Sequence, residues 1–346
     1  MAQYTLINAY VGSKAPYAAK IISLFDDNCT KYVEPYAGGA FYFALYNGRY
    51  TREWLNDANS NITVLYKALA DKETRDETIN AILEIEKPDD KELAQRQFEE
   101  AKKQLLGKSL RIDSLPKEQW IQAGRNSFLA YSQSFNCAAK SYSACKSNEK
   151  YRWETKRNLK NAVERLSGIY RITMMDGVDV IKKIKNQAEV QIFCDPPYVG
   201  LYRRCTKLYA TEMSSLLEHR KLAKELADAK AAVVLCGYRA QEGIPTIYDA
   251  ILGDGWHCLK LADTVKQCEV VKKGEAKHFA QEFVWTNRIP ERAELYLSMK
   301  DYKETMSMEE YWERIRVACL KKLVPDKHIK EYRRTFLKLY DKGLFD

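Results

Sequence analysis

A strand–helix–strand–helix rhythm fills the first seventy residues, stops for about eighty, and then resumes. This interrupted rhythm constrains the fold more than any other feature. "KYVEP" (31–35) predicts a short strand, and "AGGAFYFALYN" a glycine-containing turn into an apolar helix. "TREWLND" (51–57) predicts a second strand, and "NITVLYKALA" a helix that Asn59 can cap. Alternation of this kind builds an α/β sheet with helices on both faces. It resumes with the helix "NLKNAVERLSG" and the strands "IYRITMMD" (ending on Asp176) and "AEVQIFCD" (ending on Asp195). "SSLLEHRKLAKELADA" then predicts a long helix and "AAVVLCGY" a buried strand. "WHCLKLAD" and "EFVWTN" close the series as strands that can pair antiparallel.

The intervening stretch is polar and helical in pattern. It includes the amphipathic "KELAQRQFEEAKKQLLG" and then a segment rich in Ser, Asn, Tyr and basic residues. The expected organisation is therefore a sheet domain in two parts, 1–72 and 154–289, with an inserted, mostly helical region at 73–153. A charged helical extension follows at 290–346. That extension can be a packing appendage, a DNA-contacting element or a dimer surface.

Composition narrows the class. Of 346 residues, 46% are hydrophobic and 30% charged, as in folded soluble chains. The nine cysteines include no C-x-x-C pair, and the four histidines (His219, His257, His278, His328) form no ligand cluster. The reading is a reduced, cytoplasmic protein without a metal site. No apolar run approaches membrane-spanning length. The net charge of +9 suits a polyanionic partner. Lys140–Lys185 carries twelve basic against five acidic residues, with Tyr142, Tyr151 and Trp153 among them. Phosphate contact or a solvated helical face would both account for it.

Three short elements carry chemistry. "EPYAGGA" (34–40) places paired glycines between a strand and a helix, as either a tight turn or a loop that a ligand approaches. It matches neither a P-loop nor the G-x-G-x-x-G pattern. Asp57, at the end of the second strand, can accept ribose hydroxyls or cap the next helix. "CDPPY" (194–198) puts Asp195 before Pro196, Pro197 and Tyr198. Proline donates no backbone hydrogen bond and holds the preceding residue extended. The Asp195 carboxylate and the Pro196 carbonyl then present two fixed acceptors, suited to an amino group with two hydrogens. A tyrosine beside them can stack on a flat ring.

In this order the elements resemble the Dam-type (alpha-group) adenine-specific DNA methyltransferases. "AYVGSK" (9–14) is similar to that family's opening element, "VEPYAGGA" to its methionine-binding loop, "LNDAN" to its Asn-Asp-x-Asn element, and "DPPY" to its catalytic motif. The likeness runs from about Ala2 to Asn287. The chain departs from it at Ser13, where a glycine is usual, and at Ala40, where a third glycine is common.

The resemblance implies a Rossmann-like methyltransferase sheet that uses S-adenosylmethionine and no metal. It implies cofactor contacts at Tyr10, Lys14, Glu34, Pro35, Ala37, Gly38, Gly39, Asp57, Asp176 and Asp195. Asp195, Pro196, Pro197 and Tyr198 would hold an adenine flipped out of double-stranded DNA. The insert would read the target, with Arg125, Asn126, Lys140, Arg203 and Arg204 as DNA-contact candidates. An RNA adenine methyltransferase and an inactive DNA-binding homologue are the alternatives. A cognate restriction endonuclease stays open as a partner, and the oligomeric state is not legible.

Overall fold

The computed structural model describes residues 6–7, 10, 12–45, 48–85, 91–107, 110–143, 149–200, 211–239, 245–265, 279–321, 329–330 and 333–335. In chain order its elements are α1 (Ala18–Ser23), β1 (Lys31–Glu34), β2 (Arg52–Asn56), α2 (Ser60–Ala70), α3 (Arg75–Leu83), α4 (Lys91–Lys103), α5 (Lys117–Ser132) and α6 (Glu149–Leu166). There follow β3 (Arg171–Thr173), α7 (Gly177–Ile184), β4 (Val190–Cys194), α8 (Leu216–Ala227), β5 (Ala232–Arg239), α9 (Ile247–Ile251), β6 (His257–Val265), β7 (Phe279–Thr286) and α10 (Met308–Leu320). The expected strands are all present, and so is the α/β class. Two units result, the first mainly 30–180 and the second mainly 181–207 with 212–346.

In the first unit the strands run parallel in the order β3-β2-β1. Asn59 caps α2, its side chain accepting the Asn61 N–H at 3.1 Å. Nearly every side chain of α2 is buried, polar Asn61 and Thr63 included. A helix apolar on most sides needs cover on most sides. Helices α3 and α5 supply it by packing against α2.

One expectation fails here. The apolar run after the glycines forms only a single 3-10 turn, Phe41–Ala44, and not a helix. Ala40 turns at φ 54°, and Leu45 is already extended. Between them the buried Glu34 carboxylate captures the N–H groups of Phe41 (2.7 Å) and Tyr42 (3.0 Å). Glu34 thus caps the start of this turn, taking first-turn donors that have no intrahelical partner, and the turn stops where Leu45 becomes extended.

The ring of Tyr42 is anchored by a buried ion pair. Arg165 Nη2 meets Glu53 Oε1 at 2.9 Å. The Tyr42 hydroxyl lies 2.8 Å from both Glu53 Oε2 and the Arg165 carbonyl, with the guanidinium 4.1 Å above the ring. Arg171 covers Trp54 in the same manner. Part of the basic excess in 140–185 is therefore engaged by the fold itself, Arg165 buried and Arg171 exposed. Arg165 and Arg171 serve the fold, and Lys185 pairs with Asp228 and Glu225.

In the second unit the order is β4-β5-β7-β6, with β4 and β5 parallel and β7 antiparallel to both β5 and β6. β4 is buried at every position, as suits a strand covered on both faces. Ser215 and Glu218 form a reciprocal capping box on α8. His219, within α8, is fully buried. Its Nε2 donates to the Met213 carbonyl (2.7 Å) and its Nδ1 accepts from Tyr248 (2.6 Å), a packing role.

The extension after Pro290 is tied into this unit. Asp301 accepts the Cys258 N–H (2.9 Å), and the Tyr302 N–H donates to the Cys258 carbonyl (2.7 Å). Glu304 bridges Arg239 and Arg314. Of the three roles open to the extension, these contacts supply packing. No described helix is long and apolar enough to cross a membrane.

Candidate active site

The first group of site residues lies at the C-terminal ends of β1, β2 and β3, where open α/β sheets bind ligands. Asn56, at the end of β2, holds these ends together. Its amide donates to the carbonyls of Pro35 (2.8 Å) and Met175 (3.0 Å). Its carbonyl accepts from the Thr173 hydroxyl (2.8 Å) and the Met175 N–H (2.9 Å). Its backbone carbonyl takes the Ala37 N–H at 2.9 Å. Such a fully satisfied buried amide is rigid, and removing it strands several partners.

The glycine loop is then closed by Asp57. Its Oδ2 accepts the Gly38 N–H (2.6 Å) and its Oδ1 the Asn59 N–H (2.7 Å). Burial raises the Asp57 carboxyl against the pull of those two donors. Asn59, not Asp57, caps α2. Each Asp57 oxygen accepts one of these bonds, so acceptor capacity remains for a hydroxyl. Gly38 turns at φ 48°, and its carbonyl accepts from Tyr66 (2.5 Å).

The space beside the glycines belongs to Tyr10. A Cβ on Gly38 would meet its ring at 3.0 Å, and one on Gly39 its Cβ at 2.8 Å and its ring at 3.0 Å. The glycines thus admit a ring of the chain itself. Lys14 is buried, with Nζ 2.6 Å from the Gly12 carbonyl. Glu34 is 1% exposed, and its oxygens hold Phe41, Tyr42 and the Tyr32 hydroxyl, so it shapes the loop from beneath. Asp176 is exposed after β3 and accepts the Val178 N–H (2.8 Å) at the start of α7.

The second group follows β4. Asp195 and Pro197 are half-buried, while Pro196 and Tyr198 are buried. Tyr198 is 8% exposed, and its hydroxyl donates to Glu282 on β7 at 2.8 Å. Its ring meets Tyr238 edge-on at 4.5 Å. Burial, with the carboxylates of Asp195 and Glu282, holds its hydroxyl well above the ordinary tyrosine range. In this conformation Asp195, not Tyr198, is the accessible side chain of the motif.

A strand end braced for a ligand, with an accessible carboxylate ahead of two prolines, agrees with the sequence comparison. The family model for D12 class N6 adenine-specific DNA methyltransferases matches residues 10–241. The chain belongs to that family. It is accordingly an α/β DNA adenine-N6 methyltransferase, with DNA as its substrate. A search of curated proteins returns no match.

Among the D12 site candidates, the structure gathers Tyr10, Gly38, Gly39 and Asp57 into one contact network in the first unit. The DNA-contact candidates are dispersed. Asn126 is 2% exposed, donating to Gln104 (2.8 Å) and accepting from Gln122 (3.2 Å) and Arg125 (3.3 Å). Its amide is engaged within the helix packing. Arg125 is half-buried and Lys140 exposed. Arg203 and Arg204 lie outside the described residues. Among the described residues no group of three or more His, Cys, Asp or Glu is placed to hold a metal.

Sequence reading missed Asn56 as the brace, Glu282 as the partner of Tyr198, and Tyr131. Asn56 sits inside "LNDAN", where attention falls on the aspartate. Glu282 lies 84 residues from Tyr198 and beyond the family match.

Proposed function

We propose that the chain transfers the methyl group of S-adenosylmethionine to the 6-amino nitrogen of an adenine flipped out of double-stranded DNA, in the cytoplasm. The observation that carries this reading is the accessible Asp195 carboxylate after buried β4, with Pro196 and Pro197 stiffening the backbone behind it. Bound at the glycine loop, the cofactor supplies an electrophilic methyl group.

The first unit's residues suit such a ligand. Asp57 retains acceptor capacity for a ribose diol, and the Tyr10 ring and the glycine backbone flank it. Pro35, Ala37, Lys14 and Glu34 set the course of the loop, and Asp176 stands exposed at the neighbouring strand end for the ligand's adenine. Asp195 and the Pro196 carbonyl accept the two amino hydrogens of the target. That favours a tetrahedral nitrogen whose lone pair is no longer delocalised into the ring. Alignment of nucleophile and methyl group supplies much of the remaining acceleration. Tyr198, buried and pinned by Glu282, would have to uncover its ring to stack on the extruded base. The region 73–153 reads the target, with Arg125 and Lys140 toward phosphate. A cognate restriction endonuclease fits this reading as a partner.

The test is transfer of labelled methyl groups to matched duplex DNA and RNA, with wild type and Asp195→Ala. Transfer to DNA that collapses in the variant, with cofactor still bound, supports the proposal. Equal rates in the two proteins, or transfer to RNA alone, defeat it.

A further inference from the structure

Tyr131 lies in the last turn of α5, within the insert, and is 3% exposed. Two contacts tie it to the glycine loop. Its ring stacks on Tyr10 with centroids 6.1 Å apart and planes 27° from parallel. Tyr10 in turn occupies the space over Gly38 and Gly39. Its hydroxyl accepts from the Asn59 amide at 2.7 Å. Asn59 is the cap of α2, and its N–H is held by the same Asp57 carboxylate that holds Gly38. One side chain of the insert thus reaches the loop by two routes, through a ring and through a hydrogen-bonded cap.

We infer that Tyr131 is a positioning residue of the cofactor site, setting the place of Tyr10 and of the Asp57–Gly38 contact and hence cofactor affinity. The inference rests on the proposed use of S-adenosylmethionine at this loop. A tyrosine serving packing alone needs neither a stack on the loop's own aromatic nor a bond to the cap. Both contacts converge on the loop from a helix 72 residues away in sequence from Asn59. The same α5 carries Arg125, proposed here for phosphate contact, so the region 73–153 would serve both substrates. Burial and the neighbouring Asp57 charge push the hydroxyl up to about 12, against the Asn59 hydrogen bond, so it stays a neutral acceptor at ordinary pH.

The experiment uses the full chain in three forms: wild type, Tyr131→Phe and Tyr131→Leu. Phe keeps the stack and removes the hydroxyl, whereas Leu removes both. Calorimetric titration with S-adenosylmethionine alone gives cofactor affinity, and anisotropy with labelled duplex DNA gives DNA affinity. Phe is expected to weaken cofactor binding about fivefold, the scale of one lost hydrogen bond. Leu should weaken it about tenfold or more, with the cofactor KM rising, kcat within about twofold and DNA affinity unchanged. Should Leu fail to fold, Phe decides alone. Folded variants that bind cofactor as wild type does, at whatever melting temperature, overturn the inference. Wild type that binds no S-adenosylmethionine overturns the proposed function itself, a separately visible result.

Discussion

The glycine loop of the first unit and the DPPY segment of the second are held in opposite ways. The loop is held by side chains that grip backbone. Asn56 binds two carbonyls and an N–H, Glu34 two N–H groups, and Asp57 two more. The DPPY segment is stiffened covalently by its prolines, and one buried hydroxyl–carboxylate contact fixes its tyrosine. A loop that must wrap a flexible ligand is shaped from many directions. On the proposed mechanism, two acceptors that serve one amino group need only a rigid backbone. Substitutions near the loop should therefore act first on stability and cofactor binding, and those at DPPY on chemistry.

The comparison can be broken at its strongest point. Arg165→Ala leaves Glu53 buried beneath the loop's return and is expected to cost about 3–5 kcal/mol in urea unfolding. A loss under about 1 kcal/mol would mean that this pair does not brace the first unit. Asp195→Ala should reduce methyl transfer by about 10²–10³-fold, the scale of one preorganised polar group, with the melting temperature nearly unchanged.

A smaller effect separates the units by pH. Burial pushes the Asp249 carboxyl up to about 6, against the Arg239 charge and the Trp285 N–H. Its proton is held more tightly folded than unfolded, so its contribution to stability is full below about pH 4 and is lost as pH rises through about 6. Asp249→Asn should remove a slope of about 1–3 kcal/mol over that window, read from Trp285 fluorescence in denaturant. The smallest expected effect is Ala40→Gly. Relief of the positive φ gains about 1 kcal/mol, and loss of the buried methyl costs nearly as much. A shift above about 1.5 kcal/mol either way would show that Ala40 shapes the loop in a manner its dihedral does not explain.

What was legible in the sequence was local. The strands at 31–34, 52–56 and 190–194 follow from short apolar runs bounded by polar residues, and α2 from its Asn59 cap. The DPPY segment and Asp57 were legible because their chemistry is written in adjacent residues. The single turn at Phe41–Ala44 was not, since nothing in the adjacent residues marks the extended backbone at Leu45 that ends it. Nor were Arg165 and Tyr131. Their partners lie 112 and 72 residues away, and nothing beside either residue distinguishes it from an ordinary helical surface position. The count of basic residues is silent on roles for the same reason, because it cannot separate charges paired within the fold from charges facing a phosphate.

The short pairing of Asp301 and Tyr302 with β6 has a consequence beyond packing. β6 ends the four-strand order of its unit, and its Cys258, Leu259 and Leu261 are fully buried. An apolar terminal strand of this kind recruits strands from other chains when its backbone groups are open. The Leu259–Asp301 bridge and the Tyr302 N–H occupy that backbone, and Lys20 takes the Leu261 carbonyl at 2.7 Å. The segment at Asp301 and Tyr302 thus covers part of a strand edge that would otherwise offer open backbone groups to another chain.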